Sequence, residues 1–388
     1  MTLILTEGQK IAKKEIEESL FGIRPRNHVL EGYAGVGKTV LVTHIFKNRQ
    51  NILFCAPTNK AAKVMREFGI SGACTVYQLL CLALEKGKLF QYATPEFDNT
   101  EAIVVDECSM ISAFIMELLG KYVPKHIPIL FVGDPAQLPP VKEKLSKSFL
   151  TKNKSTLTEI VRQAEGNPII KYSMDIRKNG FKLHAIPFDG KNIINVPQSK
   201  FFNMALSTYN GGGVTTAWTN KSVNHVNSVL HEMVYGKDVP DYCVGEKIIL
   251  AEPLLDPFEN NAVIATNGDE FIVGAIKPTR YMEYNIWKIE TECGQTIYTV
   301  QEKDKPKYQN QLNKYFKANL TKEYWKLKER FTDIRLPYAV TCHKLQGSTY
   351  NRVIIVGEDI ASNWDADSRN KCAYVAVTRA ADKIGFLQ

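Results

Sequence analysis

A glycine-rich octapeptide near the N-terminus carries the clearest chemistry in this sequence. Residues 32–39 read GYAGVGKT, which matches the phosphate-loop pattern G-x-x-x-x-G-K-[ST] and follows a strand-like segment. In such a loop the glycines let backbone N–H groups face phosphates, Lys38 can reach the β and γ phosphates, and the Thr39 hydroxyl can ligate Mg²⁺. A purely structural glycine turn is a remote alternative. The residues expected to bind ATP here are Gly35, Val36, Gly37, Lys38 and Thr39.

Two carboxylates end a later apolar strand. Residues 103–105 (IVV) lead into Asp106 and Glu107. Asp106 would hold Mg²⁺, and Glu107 would orient and deprotonate the attacking water. Acidic residues also end strands for solubility, so this pair gains its weight from the phosphate loop before it. The two motifs together predict ATP hydrolysis.

A third polar group, Gln137, follows the next predicted strand, within residues 133–140 (GDPAQLPP). Because parallel strands bring their carboxyl ends to one edge of a sheet, we expect Gln137 beside the γ-phosphate, where its amide could sense that group. A plain proline-rich loop would explain the prolines but not the whole string.

The elements that must position these groups alternate between strands and helices. Residues 6–9 (TEGQ) fit a capping box, which predicts a helix start at Thr6. Apolar strands that alternate with helices indicate a parallel sheet covered on both faces, and the pattern returns in the second half of the chain. The predicted strands are 29–31, 52–55, 102–105, 129–132, 214–218 and 352–356, and the predicted helices begin near Lys38 and span 59–68, 111–122 and 221–235, the last capped by Asn220.

Residues 241–300 have a different pattern. Short β-rich runs at 247–250 (KIIL) and 270–273 (EFIV) are joined through Asn267-Gly268, which predicts a small antiparallel barrel inserted into the second α/β domain. With 388 residues, 44% of them hydrophobic, the chain can bury more than one core.

Cysteine usage and hydropathy limit the class of protein. The eight cysteines include no CxxC pair and none at zinc-ligand spacing from a histidine, which suits a reducing cytosol and no structural metal. The apolar run from Leu3 to Leu5 is too short for a signal peptide, and no segment reaches membrane-spanning length. We therefore expect a soluble cytoplasmic protein with no membrane partner.

The net charge of +8 is weak support for a polyanionic partner, and one segment is more informative. Residues 301–330 carry nine Lys/Arg against four Asp/Glu, interleaved with aromatic residues. Basic side chains neutralise phosphates and aromatic faces stack bases, so this segment is a candidate contact for nucleic acid. An amphipathic helix whose aromatic residues pack on their own domain is an equal alternative.

Five strings follow one another along the chain: 56–63 (APTNKAAK), 106–110 (DECSM), 133–140 (GDPAQLPP), 341–348 (TCHKLQGS) and 374–380 (YVAVTRA). In order and spacing they resemble the motifs of superfamily 1 helicases. The resemblance is closest to the RecD-like branch that includes the Dda-type helicases of T-even phages, and it extends from residues 5–9 (LTEGQ) to the C-terminus. It implies an α/β fold of two RecA-like parallel-sheet domains across an ATP cleft.

The resemblance implies further residues of the nucleotide site. Gln9 matches a glutamine that reads adenine, although it is also the N3 residue of the capping box, and we expect the adenine contact. Arg162 and Arg379 match two arginines that approach the γ-phosphate from the second domain, with structural ion pairing as the alternative. Gly347 is expected among the nucleotide-binding residues. The implied catalytic set is Lys38, Asp106, Glu107, Gln137, Arg162 and Arg379, with Thr39 and Asp106 on Mg²⁺.

A track for single-stranded DNA is also implied, over both α/β domains. Hydroxyl and amide side chains suit phosphate contacts that carry no sequence information, so a motor could advance over any sequence. The implied contacts are Pro57, Thr58, Asn59, Thr75 and Tyr77 in the first domain and Thr219, Asn220, Thr341, His343 and Lys344 in the second.

The domain plan and a strand-separating device follow from the same resemblance. A β-hairpin pin is expected within residues 84–99, with Phe90, Tyr92 or Phe97 as the wedge and a simple surface loop as the alternative. The implied domains are 1–150 for the first RecA-like domain, 151–240 with 334–388 for the second, and 241–333 for an SH3-like β-barrel that carries the basic aromatic extension at 301–330.

The expected activity is that of an ATP- and Mg²⁺-dependent DNA helicase that moves 5′ to 3′ on single-stranded DNA, unwinds forked duplex and displaces bound proteins. Single-strand-binding and replication proteins are candidate partners, a monomer is expected, and a viral source would place it in the host cytoplasm. One rival is a translocase that strips proteins without unwinding efficiently. The other is a nucleotide-gated clamp, which would not need Glu107 and Gln137 for fast hydrolysis.

Overall fold

The computed structural model describes residues 5–86, 88–159, 166–256 and 262–388. They form two compact units. The first unit contains the chain up to Val223 and from Val340 to Gln388, and the second contains Asn224–Ala339.

The helices and strands are numbered in chain order. The first part of the chain contains α1 Glu7–Phe21, β1 His28–Gly32, α2 Lys38–Phe46, β2 Ile52–Ala56, α3 Asn59–Glu67, β3 Cys74–Thr75, α4 Val76–Leu79, β4 Leu82–Glu85, β5 Lys88–Gln91, β6 Ala102–Val105, α5 Ala113–Tyr122, β7 Ile129–Gly133 and β8 Asn153–Leu157. There follow α6 Pro168–Asn179, β9 Ile193–Val196, α7 Phe201–Asn210, β10 Val214–Ala217, α8 Asn220–Tyr235, β11 Lys247–Leu250, β12 Leu254–Asp256, β13 Ala262–Ala265, β14 Glu270–Tyr281, β15 Tyr284–Thr291 and β16 Thr296–Val300. The last elements are α9 Lys305–Lys317, α10 Thr321–Lys328, β17 Ile334–Arg335, β18 Ala339–Thr341, α11 Cys342–Leu345, β19 Tyr350–Val356, α12 Gly357–Ala361, α13 Ala366–Thr378 and β20 Ala380–Leu387.

The first lobe of the first unit, residues 5–159, is built on a six-stranded sheet in the order β3-β2-β6-β7-β1-β8, in which neighbouring strands are parallel. Strand β6 is buried along its whole length because helices cover both faces of the sheet. Its Ile103 joins the core under α5, whereas Val104 joins the core that includes Ile16 of α1. The predicted parallel sheet with two covered faces is therefore confirmed.

The second lobe, residues 166–223 with 340–388, contains a sheet in the order β18-β10-β19-β20-β9, with β10, β19, β20 and β9 parallel. Helix α13 is buried over its last turns, where residues 372–377 all belong to the core of this lobe. A helix that is apolar on all sides needs such a position between other elements. The string YVAVTRA thus ends a central helix and begins β20, and all of its side chains except that of Thr378 are buried.

The second unit contains an antiparallel sheet in the order β16-β15-β14-β11-β17. Lys247 pairs with Ile272, so the two β-rich runs seen in the sequence are adjacent strands. Gly268 has a φ of 94°, which suits glycine in the turn before β14. The antiparallel pair of β12 and β13 lies between β11 and β14 in the chain.

Helices α9 and α10 lie between β16 and β17 in the chain and carry the basic aromatic segment. Tyr308, Tyr315 and Tyr324 pack against the buried side chains of Leu312 and Leu327. For these tyrosines the amphipathic-helix interpretation therefore applies. Other side chains of the segment stay at the surface, among them Phe316, Lys314, Lys317 and Lys322.

Among the residues that the structure describes, none of the helices has the length and apolarity that a membrane span requires. All eight cysteines are free thiols, and those at positions 55, 108, 342 and 372 are buried.

One carboxylate organises the start of α8. Asp359 of α12 accepts hydrogen bonds from the backbone N–H groups of Trp218 and Thr219 at 2.7 and 2.8 Å and from the hydroxyls of Thr219 and Ser222 at 2.8 and 2.6 Å. The first N–H groups of a helix have no partner within the helix, so an external acceptor is needed there. Asp359 thereby fixes the loop after β10 to α12.

We expect Asp359→Ala to lower the free energy of unfolding by about 2 kcal/mol, because the charged acceptor is removed from several donors at once. Urea unfolding of the full chain measures the change. Glu358→Ala is the matched control, since Glu358 is the exposed neighbour on the same helix. Equal losses in both variants would show that Asp359 does not organise the α8 start.

Candidate functional site

The phosphate loop lies between β1 and α2, as its sequence predicted. Gly35 and Gly37 have φ values of 79° and 76°, and Gly37 is the N-cap of α2. A side chain would strain the backbone at both positions. A Cβ at Gly32 would lie 2.8 Å from the carbonyl oxygen of Leu157, so this position also requires glycine. The Lys38 ammonium donates to the carbonyl oxygens of Gly32 and Tyr33 at 2.8 and 2.9 Å.

Several acidic groups surround Lys38. Burial lowers the pKa of its ammonium, against the opposing charges of Asp134, Glu107 and Asp106. Burial and the charge of Glu107 raise the pKa of Asp106 to about 6. The predicted catalytic lysine and both predicted acids therefore share one desolvated cluster at the carboxyl edge of the first sheet.

Glu107 has an unusual backbone and a partner from the second lobe. Its φ is 48° and its ψ 42°, a left-handed conformation that is uncommon for residues other than glycine. Its carboxylate lies 3.5 Å from the guanidinium of Arg379, which follows α13. Arg379 is only 8% exposed. The structure thus brings the predicted base and one predicted arginine together across the two lobes.

Polar atoms at this site fit a nucleotide and a hard metal ion. The Gln137 side-chain oxygen, the Ser109 hydroxyl and Nε of Arg379 are buried and have no hydrogen-bond partner among the described residues. Buried polar groups normally have one. The Thr39 hydroxyl and the Asp106 carboxylate offer the oxygen ligands that Mg²⁺ prefers.

Gln9 is engaged at both ends of its amide. Its oxygen accepts from the Thr6 N–H at 3.0 Å and so closes the predicted capping box, while its nitrogen donates to the Val36 carbonyl at 3.1 Å. The side chain is 4% exposed. These bonds use one hydrogen and one lone pair of the amide and leave one of each for an adenine edge, and the adenine contact stays a prediction.

Asp134, at the end of β7, is a hub that sequence reasoning missed. It is fully buried, and it accepts from Arg177 at 2.5 Å and from the Tyr374 hydroxyl at 2.6 Å. The Tyr374 hydroxyl in turn accepts from the Ala34 N–H of the phosphate loop at 3.1 Å. Asp134 and Tyr374 both lie in strings that resemble helicase motifs, and this could have indicated a role for them. Arg177 lies outside those strings.

Arg162 and Gly347 are the other two residues that were predicted at the nucleotide site. Arg162 lies outside the described residues. Gly347 has a φ of 71°, and a Cβ there would lie 3.4 Å from Ala61 of α3. The structure therefore shows Gly347 against α3, and its nucleotide contact stays a prediction.

The predicted DNA-contact threonines lie at helix starts. The Thr58 and Thr75 hydroxyls accept from backbone N–H groups in the first turns of α3 and α4. Each cap uses a lone pair and leaves the hydroxyl hydrogen for another acceptor. The Thr219 hydroxyl instead accepts from the Ser222 N–H and has its hydrogen within reach of Asp359. Thr219 therefore has a structural role that competes with phosphate binding.

The other members of the predicted track differ in exposure. Asn220, His343 and Lys344 are exposed, whereas Thr341 is buried. Tyr77 packs in part against the first-lobe core. Pro57 and Asn59 are half-buried.

In the second unit, His231, Cys243 and Glu246 have potential metal-ligand atoms within 4.8 Å of one another. The two ring nitrogens of His231 already bond Glu246 at 2.8 Å and the Pro240 carbonyl at 3.0 Å. Glu246 also accepts from the Cys243 N–H and the Tyr338 hydroxyl. These bonds indicate a structural network.

Comparison with known proteins agrees with this geometry. An AAA domain model matches residues 5–191, and a UvrD-like helicase C-terminal domain model matches residues 336–387, so that together they cover more than half of the chain. The chain is 26% identical to the ATP-dependent DNA helicase dda of Enterobacteria phage T4, over 97% of both chains. It is 34% identical to the ATP-dependent RecD2 DNA helicase of Deinococcus radiodurans, over 37% of this chain and 20% of that protein.

A solved structure shows the same fold. The Pif1 helicase from Bacteroides, in complex with ADP-AlF3 and single-stranded DNA, superposes with a TM-score of 0.54 at 18% identity, over 99% of this chain and 92% of that one. The two lobes are therefore RecA-like α/β domains. The motif strings, the two family models and the full-length relationship to dda lead to one conclusion: the chain belongs to the superfamily 1 helicases, in the branch of the RecD-like and Pif1-like proteins to which Dda is related.

Proposed function

We propose that this protein is an ATP-dependent DNA helicase that translocates on single-stranded DNA and unwinds forked duplex. One observation carries the proposal: Lys38 and Glu107 of the first lobe share a partly buried charged cluster with Arg379 of the second. A site shared by both lobes lets hydrolysis change how they are held together. The kinship to dda and the fold shared with a Pif1 helicase bound to single-stranded DNA support the substrate.

ATP would bind to the N–H groups of the phosphate loop, with Lys38 on its β and γ phosphates. Thr39 and Asp106 would hold Mg²⁺, which when bound neutralises charge that develops on the phosphates. Burial and the charge of Glu107 raise the pKa of Asp106. A bound cation would stabilise the charged form of both carboxylates.

Glu107 would accept the proton of the attacking water. In the structure its carboxylate is held in an ion pair with Arg379 at 3.5 Å. Exchange of that pair for a contact between Arg379 and phosphate would free Glu107 for catalysis. The Gln137 oxygen, which has no hydrogen-bond partner among the described residues, would accept from the same water, and Arg162 would add a second positive charge.

DNA would cross the helix starts of both lobes, on Pro57, Thr58, Asn59 and their counterparts in the second lobe. Backbone N–H groups and hydroxyls there suit phosphate contacts without base preference. Alternate tightening and release of the lobes would advance the strand, 5′ to 3′ by analogy with the family, and would push bound proteins off it.

The hairpin of β4 and β5 is proposed as the pin. Phe90 and Tyr92 are 42% and 57% exposed, whereas Phe97 packs against the first-lobe core and is the poorer wedge. The antiparallel sheet of the second unit is proposed as the SH3-like domain, with α9 and α10 as its extension. The domain limits expected from the sequence belong to the same proposal with one change: β8, at residues 153–157, pairs with β1 and so belongs to the first lobe. A monomeric state, a cytoplasmic location and replication proteins as partners are also part of this proposal.

We expect Lys38→Ala to lower DNA-stimulated ATP hydrolysis on the order of 100-fold, because a charge-stabilising donor is lost from the phosphates. Steady-state hydrolysis with and without a single-stranded oligonucleotide measures this. Lys47→Ala is the control, since Lys47 is exposed at the end of the same helix. Hydrolysis that DNA does not stimulate, or DNA binding without hydrolysis, would instead favour the nucleotide-gated clamp.

Polarity is tested on the unaltered protein with duplexes that carry either a 5′ or a 3′ single-stranded tail. A 5′-to-3′ motor loads on the 5′ tail and reaches the junction, so we expect strand separation on that substrate and little on the other. Preference for the 3′ tail would reverse the proposed direction while leaving the ATPase proposal intact.

For the pin, we expect Phe90→Ala and Tyr92→Ala to slow unwinding of the preferred forked duplex while DNA-stimulated hydrolysis is unchanged. A wedge acts on the base pair and not on the nucleotide. Phe114→Ala is the matched control, because Phe114 is 51% exposed on α5 of the same lobe. Unwinding that is equal in all three variants would remove the wedge assignment, and displacement of bound protein without unwinding would favour the translocase.

A further inference from the structure

The Tyr374 hydroxyl joins the two lobes at the phosphate loop. Tyr374 lies on α13 of the second lobe and is 2% exposed. Its oxygen accepts from the Ala34 N–H at 3.1 Å and donates to Asp134 at 2.6 Å. Both partners belong to the first lobe, so one hydroxyl from α13 satisfies a donor of the phosphate loop and an acceptor at the end of β7.

Arg177 reinforces this connection from a second helix. Its guanidinium donates to the other oxygen of Asp134 at 2.5 Å and lies 4.1 Å from the centre of the Tyr33 ring. The second lobe therefore touches two consecutive residues of the phosphate loop. A fully buried carboxylate is stable only when it is paired and hydrogen-bonded. Its own lobe supplies Asp134 with the Ala136 N–H at 3.0 Å, and the second lobe adds Arg177 and Tyr374.

The same contacts act on the conformation of the loop. The Tyr33 carbonyl, next to the Ala34 N–H, accepts from Lys38. If Tyr374 moves away, the half-buried Ala34 N–H and one oxygen of the buried Asp134 lose this partner, which disfavours the ordered loop. Order in the loop before binding favours affinity for a nucleotide, because less conformational freedom is then lost.

We propose that Tyr374 is a positioning residue that couples docking of the second lobe to the order of the phosphate loop, and thereby sets nucleotide affinity. Arg177 assists through Asp134 and Tyr33. The inference rests on the proposed nucleotide site, and it adds a direct route by which α13 controls the loop in addition to Arg379.

The test compares two tyrosine-to-phenylalanine variants of the full chain. Tyr374→Phe removes only the hydroxyl that bridges the lobes. Tyr172→Phe is the matched control, because Tyr172 is 4% exposed in the same lobe and its hydroxyl has no hydrogen-bond partner in the part of the chain that the structure describes. The dissociation constant of fluorescently labelled ADP and the thermal unfolding midpoint are measured for both variants, and Lys38→Ala reports whether binding occurs at the phosphate loop.

We expect Tyr374→Phe to weaken ADP binding by roughly tenfold, the loss that one hydrogen bond with a charged partner predicts, and Tyr172→Phe to leave it unchanged. Arg177→Lys, which keeps the charge but loses the planar group over Tyr33, should also weaken binding. A lower unfolding midpoint with unaltered or tighter ADP binding would overturn the proposal and leave Tyr374 a stability role alone. Binding that does not depend on Lys38 would refute the nucleotide site itself, which is a distinct outcome.

Discussion

The rest of this structure depends on the neutralisation of charges that are buried between the two RecA-like lobes. Lys38 is surrounded by acidic groups of its own lobe, and the balancing guanidinium groups of Arg177 and Arg379 come from the other. Buried charges without partners are costly, so neither lobe can complete this site alone. Any ligand that adds or removes negative charge here must change how strongly the lobes are held together.

The same strands connect this site to the proposed DNA track. Strand β1 leads into the phosphate loop, and β2, which is separated from β1 by β6 and β7, leads into the Thr58 cap of α3. Both segments leave the carboxyl edge of one rigid parallel sheet, so they keep a fixed relation within the first lobe. In the second lobe Asp359 gives similar rigidity to the start of α8. Relative motion of two rigid lobes is therefore a simpler means of stepping than deformation within either lobe.

Glu107 shows how the backbone contributes to this chemistry. Strand β6 ends at Val105, and the left-handed conformation of Glu107, two residues later, directs its carboxylate toward Arg379. Such strain persists only where the surrounding structure enforces it, and the fully buried β6 supplies that support. The two adjacent acids can thus have different partners and different roles.

The sequence alone determined the features that depend on short-range rules. The phosphate loop needs glycines at two positive φ values, the capping box needs Thr6 and Gln9 three residues apart, and the strands of a covered sheet must be apolar. Tertiary structure decided the contacts between distant residues: the Ala34 and Tyr374 partners are 340 positions apart, and Asp359 lies 140 from Thr219. It also decided that the Gln9 amide bonds the Val36 carbonyl and that Tyr308 packs inward. Neighbouring residues determine local hydrogen bonding and periodicity, whereas the partner of a buried polar group depends on which elements pack together.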